Sequence, residues 1–304
     1  MDKNRLDILV VNPDGSVSIR EVFIIVFYLA RPNLDIVQSV ERAIRGFVEL
    51  VSLDALSDYY NYDGEQEELT AQSLDEIITE RLLGPNREAN ANIELSGRGI
   101  YAPEYYLWYN GKALDIEEAR EEVGYLWSWM PRNFYLNNTV KTINYISSLA
   151  LDLPFTFAYS SLGLAGENKY VKQGLAIRHP GLDIAHPGCV SADLGLRAAG
   201  SYWMNLLGPE LCALVGGVTA LRAELPGEIL VDELPGGKCQ ILLGPEPGIG
   251  DINRRDLLPL NQSLARFFRR KGVLHVPERV VYFVDQQGMA DREGMEEWHQ
   301  RFID

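Results

Sequence analysis

The chain has 304 residues, 46% of them hydrophobic, and 28 Lys plus Arg against 43 Asp plus Glu, a formal net charge of -15. Such a length supports one large core or two packed halves. The acidity repels phosphate backbones and anionic headgroups, which argues against direct nucleic-acid or membrane binding and favours a basic protein partner.

The opening residues, MDKNRLDILVVNPDGS, carry charges on both sides of a short apolar patch and lack the pattern of a secretory signal. Cys189, Cys212 and Cys239 are widely spaced, with no CxxC pair, and read as reduced thiols of a cytoplasmic protein. The longest useful apolar run, VFIIVFYLA from Val22 to Ala30, is nine residues, well short of the roughly 20 that span a bilayer. It reads as a buried strand.

Next, DIVQSVERAIRGFVELV places Val37, Val40, Ile44, Phe47, Val48 and Val51 on one stripe of an amphipathic helix. SLDEIITERLL predicts a short helix opened by a capping box of Ser73 and Glu76. From Asn90 to Met130 the pattern turns to strands, NANIELSG, EYYLWYNG and VGYLWSWM, with Asn110-Gly111 suited to a tight turn. NNTVKTINYISSLAL returns to helical spacing through Val140, Ile143, Ile146 and Leu149, and PFTFAYSSLGLAG follows as a strand.

The second half continues with GSYWMNLLG, and Pro209 opens a helix through PELCALVGGVTALRAEL. EILVDELPGGKCQILLG is a hairpin about a Pro-Gly-Gly turn, and LLPLNQSLARFFRR and DREGMEEWHQRFI supply the last helices. Grouped strands with helices against them make an α+β fold with a mixed, largely antiparallel sheet packed with helices. The domain expectation is an N-terminal extension over residues 1–18 and a single domain over 19–304, or two packed halves at about 19–160 and 161–304.

The stretch IRHPGLDIAHPGC crowds His179, Asp183, His186 and Cys189 into thirteen residues. Imidazole, thiol and carboxylate serve nucleophilic catalysis and zinc binding, so a hydrolase or metalloenzyme on His179, Asp183 and Cys189 is one reading. Against it, the spacings match no closed zinc pattern, and each His-Pro-Gly is a turn signal. A rigid corner is the favoured reading. LLGPEPGIGD lacks the GxGxxG spacing, and HExxH, GxSxG and a phosphate loop are all missing.

Acidic distribution is the stronger functional clue. Nine carboxylates lie between Asp54 and Glu80 without a lysine or arginine, interleaved with Tyr59, Tyr60 and Tyr62. DIEEAREE, from Asp115 to Glu122, adds five carboxylates against one arginine. Carboxylates mixed with tyrosines make a docking surface for a basic partner. The candidate contact residues are Asp58, Tyr59, Tyr60, Tyr62, Asp63, Glu65, Glu67 and Glu68, with Glu117, Glu118 and Glu121 from the second cluster.

RHPGLDI at Arg178 to Ile184, Trp203 and the LLG ending at Gly208, LVGGVTALRAEL, LLGPEPGIGD, and finally Trp298, Arg301 and Phe302 occur in an order and spacing that resembles the bacterial type VI immunity family. The resemblance extends to the first strand, the first helix and LWSWMP. It implies a protein that binds and neutralises a toxin made beside it, with a nuclease of restriction-endonuclease-like fold as the target. It also implies no catalytic residues, and the residues themselves point to no cofactor and no metal. A scaffold component of a secretion assembly is the remaining alternative.

Overall fold

The computed structural model describes residues 8–85, 87–114 and 121–303. Its axis is a pair of long antiparallel strands, β2 (Val17–Leu29) and β8 (Phe155–Gly166), paired from Ile19 with Gly166 to Leu29 with Phe155. Both carry continuous apolar runs because both faces of each are covered. Outward from β2 come β7 (Gly124–Pro131), β6 (Tyr106–Asn110), β5 (Asn92–Ser96), β3 (Asp58–Tyr60) and β4 (Gln66–Glu68). Outward from β8 come β9 (Met204–Leu207), β11 (Lys238–Leu242) and β10 (Leu230–Leu234). β1 (Leu9–Val11) pairs with the start of β2, and all pairs in this 11-stranded sheet are antiparallel. The α+β expectation, with its largely antiparallel sheet, is met.

One face of the first half of the sheet is covered by helices. α1 (Asn33–Val51) buries Ile36, Val40, Ala43, Ile44, Phe47 and Val51, so Val37 and Val48 flank the buried stripe rather than form it. α4 (Thr139–Asp152) lies beside α1, where the Tyr145 hydroxyl donates to the Ala43 carbonyl at 3.0 Å. The α4 stripe is rotated from expectation: Thr142, Tyr145, Ile146, Leu149 and Ala150 are buried, while Val140 is 73% exposed. α3 (Arg132–Asn137) stacks Tyr135 on Phe23 of β2 at 3.9 Å between centroids.

Three local expectations are corrected. α2 (Ala71–Ile78) starts earlier than Ser73: Thr70 is its N-cap, and Ser73 is the reciprocal member of the capping box. Asn110-Gly111 is not a tight turn, since the β6–β7 connection runs over residues 111–123. Gly111 is required there by space, because a Cβ would meet Asn33 Oδ1 at 2.6 Å and the Tyr109 hydroxyl at 2.5 Å. The helix opened by Pro209 is two helices, α7 (Pro209–Leu214) and α8 (Gly217–Glu224), separated where Gly216 and Gly217 adopt φ of 97° and 72°.

The opposite face of the sheet is treated unevenly. Over β2 and β8 it is buried beneath the segment carrying α5 (Lys169–Arg178) and α6 (Pro187–Val190), and beneath the chain after β11, including α9 (Pro259–Arg270) and α10 (Arg292–His299). Toward β5 and β3 the residues on this face, Asn92, Glu94 and Tyr60, are exposed or half-buried. Among the described residues no helix is long and apolar enough to cross a membrane.

Candidate partner-binding surface

At the end of the sheet, Asp58–Tyr60 and Gln66–Glu68 form a hairpin whose register pairs Asp58 with Glu68, Tyr59 with Glu67 and Tyr60 with Gln66. Asn61 makes its turn: the Asn61 side-chain oxygen accepts from the amides of Asp63 and Glu65, each at 2.9 Å, and Gly64 takes φ of 77°. β4 is exposed along its length and is the outermost strand. Repulsion among Glu65, Glu67 and Glu68 keeps that edge from pairing with another sheet, and it holds their charge in solvent.

The side chains are ordered by one another. Tyr59 donates its hydroxyl proton to Glu67, which also accepts from Asn61 Nδ2 at 2.7 Å. These two bonds lower the Glu67 pKa, so the carboxylate stays ionised. Gln66 Nε2 donates to the Tyr60 hydroxyl at 3.0 Å, and Ser57 donates to Asp58 at 2.5 Å. Tyr62 is 64% exposed and lies over the guanidinium of Arg81, 4.3 Å from ring centroid to Cζ. Arg81 is itself buried and donates to the carbonyls of Tyr60, at 3.1 Å, and of Asn92.

Arg81 is the supporting residue that the sequence window ending at Glu80 leaves out, and Asn61 is the other. The signal for Asn61 was present as Asn-Tyr-Asp-Gly between two strand-like pieces; nothing local marks Arg81. The acidic run is also less bare than its composition implies, because Arg45 of α1 pairs with Asp75 at 2.8 Å. Glu117 and Glu118 lie outside the described residues. Glu121 pairs with Arg197 at 3.4 Å, in the β6–β7 connection rather than beside the hairpin. The structure therefore brings together Asp58, Tyr59, Tyr60, Tyr62, Asp63, Glu65, Glu67 and Glu68, and does not join Glu121 to them.

The histidine-rich stretch has a different character. His179 is buried, with Nδ1 2.7 Å from the Gly250 carbonyl oxygen. Asp183 is buried and accepts from the Tyr159 hydroxyl at 2.6 Å and the Ala185 amide at 3.0 Å. Burial raises the Asp183 carboxyl, against those two hydrogen bonds. Its backbone pairs with β8 just beyond the first residue of β9: Leu164 donates to the Asp183 carbonyl at 3.0 Å, and Asp183 donates to that of Leu162 at 2.9 Å. Cys189 is half-buried, its thiol pushed up to about 11 by burial.

The His179 and Asp183 side chains are held by separate structural bonds, and among the described residues no three His, Cys, Asp or Glu side chains are grouped to hold a metal. Instead, distant segments converge on the corner. Gly181 donates to the Ile249 carbonyl at 2.8 Å, Arg178 reaches Asp251 at 3.3 Å, and Arg301 Nε donates to the Pro180 carbonyl at 2.7 Å. A Cβ on Gly181 would collide with the Gly248 carbonyl. RHPGLDI, GPEPGIGD and WHQRF thus form one buried knot.

The family model TsiV, described as type VI immunity for VRR-NUC, matches residues 39–302. The chain belongs to the TsiV family. The TsiV match takes in both the acidic hairpin and the buried knot. Among solved structures, the Pseudomonas aeruginosa T6SS protein PA0821 is similar, with a TM-score of 0.80 at 17% identity over 99% of this chain and 88% of that one. At that identity the likeness is one of fold. No curated protein matches the chain.

Proposed function

We propose that this TsiV protein neutralises a VRR-NUC nuclease by binding it one to one, with the acidic β3–β4 hairpin as the leading contact. The observation that carries the proposal is the hairpin itself: Glu67 and Glu68 stand exposed on the edge strand β4 and Glu65 on the turn that leads into it, on a chain of net charge -15. A nuclease presents a cationic groove to its phosphate substrate, and carboxylates exposed together at the sheet edge complement that groove and speed the encounter. Tyr59 and Tyr62 add ring surface that desolvates on contact at low entropic cost. The nucleic acid to be protected is inside the producing cell, which makes the cytoplasm the place of action.

The His179, Asp183 and Cys189 hydrolase reading finds no support, because the polar groups of His179 and Asp183 serve the corner and burial raises the Cys189 thiol. Titration of the purified protein into the VRR-NUC nuclease, with cleavage of duplex DNA as the readout, tests the proposal. Activity is expected to fall linearly and vanish at one equivalent. Full nuclease activity at a several-fold excess would refute it.

A further inference from the structure

On the sheet face opposite α1 and α4, neighbouring strands align a row that starts at the hairpin. Gln66 is opposite Tyr60, Glu94 is opposite Trp108, and Trp108 is opposite Trp127. The register of Tyr59 with Leu95 places Tyr60 next to Glu94. Residues directly across antiparallel strands share a face, so these side chains form one continuous strip. The strip is ordered: Trp108 Nε1 donates to Asn92 Oδ1 at 2.5 Å, and Tyr106 stacks on Trp129 at 4.0 Å.

Glu94 is the anomaly in this strip. It is half-buried among aromatic rings, and the Tyr106 hydroxyl donates to it at 2.6 Å. Among the described residues no lysine or arginine forms an ion pair with it. Burial raises its carboxyl, and the Tyr106 bond lowers it only in part. Beside it on the same strand face, Ser96 is 97% buried, and its Oγ has no hydrogen-bond partner among the described residues. A carboxylate partly withdrawn from water without a cation costs stability in the free protein. The same carboxylate walled by Trp and Tyr faces is a good receptor for a cation, since the rings and the charge attract it together.

We propose that this strip receives an arginine side chain of the nuclease partner, with Glu94 as its ion pair and Trp108 as the stacking wall. Guanidinium fits better than ammonium because it is planar, stacks on aromatic faces and donates to a carboxylate in a fork. Charge complementarity selects the partner: Asp58 and Glu68 lie on the same face in the adjoining row, and the strip continues into the acidic hairpin. Lys169 and Lys172 line, with Trp127 and His186, the cleft at the other end of the strip. The proposal rests on the immunity reading above and locates a second, ring-lined contact within the same interface.

Calorimetric titration of the full-length protein, as wild type, Glu94→Gln and Trp108→Phe, with a catalytically inactive VRR-NUC partner tests it. Glu94→Gln is expected to weaken binding at least about tenfold while its melting temperature stays equal or rises, because the substitution removes an unpaired charge. Trp108→Phe is expected to weaken binding less than Glu94→Gln while keeping the fold. Unchanged affinity in both variants, with wild-type binding intact, would overturn this proposal alone. No binding by wild type would overturn the immunity reading and this proposal with it.

Discussion

Arg301 and Pro180 are joined by a 2.7 Å hydrogen bond across 121 residues of sequence, from Nε to the proline carbonyl. The same guanidinium donates to the Trp298 carbonyl at 2.9 Å and lies 3.8 Å over the Trp298 ring. One half-buried cation thus ties the last helix to the His-Pro-Gly corner, which in turn is bonded to the Gly248–Asp251 loop. RHPGLDI, GPEPGIGD and WHQRF are therefore held to one another by packing and hydrogen bonds.

Replacing Arg301 with alanine leaves two carbonyls without their donor and opens a hole beside Trp298. The expected loss is about 3 kcal/mol of unfolding free energy, measured by urea denaturation. Arg301→Lys is expected to recover only part of it, since an ammonium cannot reproduce the planar fork.

Cys189 offers a direct check on whether the histidine-rich stretch is chemical or structural. With its thiol pushed up to about 11 from an ordinary 9.0, it should alkylate at pH 8 about a hundredfold more slowly than a free thiol. Iodoacetamide labelling followed by mass spectrometry reads this. Cys189→Ser should leave inhibition of the nuclease unchanged, while His179→Ala should lower the melting temperature through loss of the Gly250 contact.

Acid stability should depend on Asp193. Burial works to raise this carboxyl, but the His275 ring at 2.9 Å and the Glu278 and Arg279 amides at 2.7 and 3.0 Å outweigh it and bring it to about 2. A carboxyl lowered in the folded state contributes stability above its unfolded value of 3.8 and loses it as pH falls toward 2. The contribution is about 2 kcal/mol at neutral pH. In wild type, unfolding free energy should drop between pH 4 and 2 more steeply than in Asp193→Asn.

Much of this architecture is legible in the sequence where burial follows periodicity. Val22–Ala30 is uniformly apolar because β2 is covered on both faces, and the Pro-Gly-Gly hairpin is set by local turn chemistry. The departures come from tertiary context. The α4 stripe rotates because Tyr145 must reach Ala43 of α1, and Gly111 serves the space around Asn33 rather than a turn. Glu94 and Trp108 stayed hidden as a pair because only strand register sets them side by side. Arg81 was hidden for the same reason, since its partners Tyr60 and Asn92 lie on different strands.

The proposed role of the acidic hairpin is to steer and hold the nuclease. Its most direct test is the association rate with a catalytically inactive VRR-NUC partner, followed by stopped flow from 20 mM to 500 mM salt (about 20 Å to 4 Å of screening length). For wild type the rate should fall steeply with salt. Reversal of Glu65, Glu67 and Glu68 to lysine should lower the low-salt rate at least about tenfold and flatten the dependence. Equal rates and equal salt slopes for the two proteins would contradict the account.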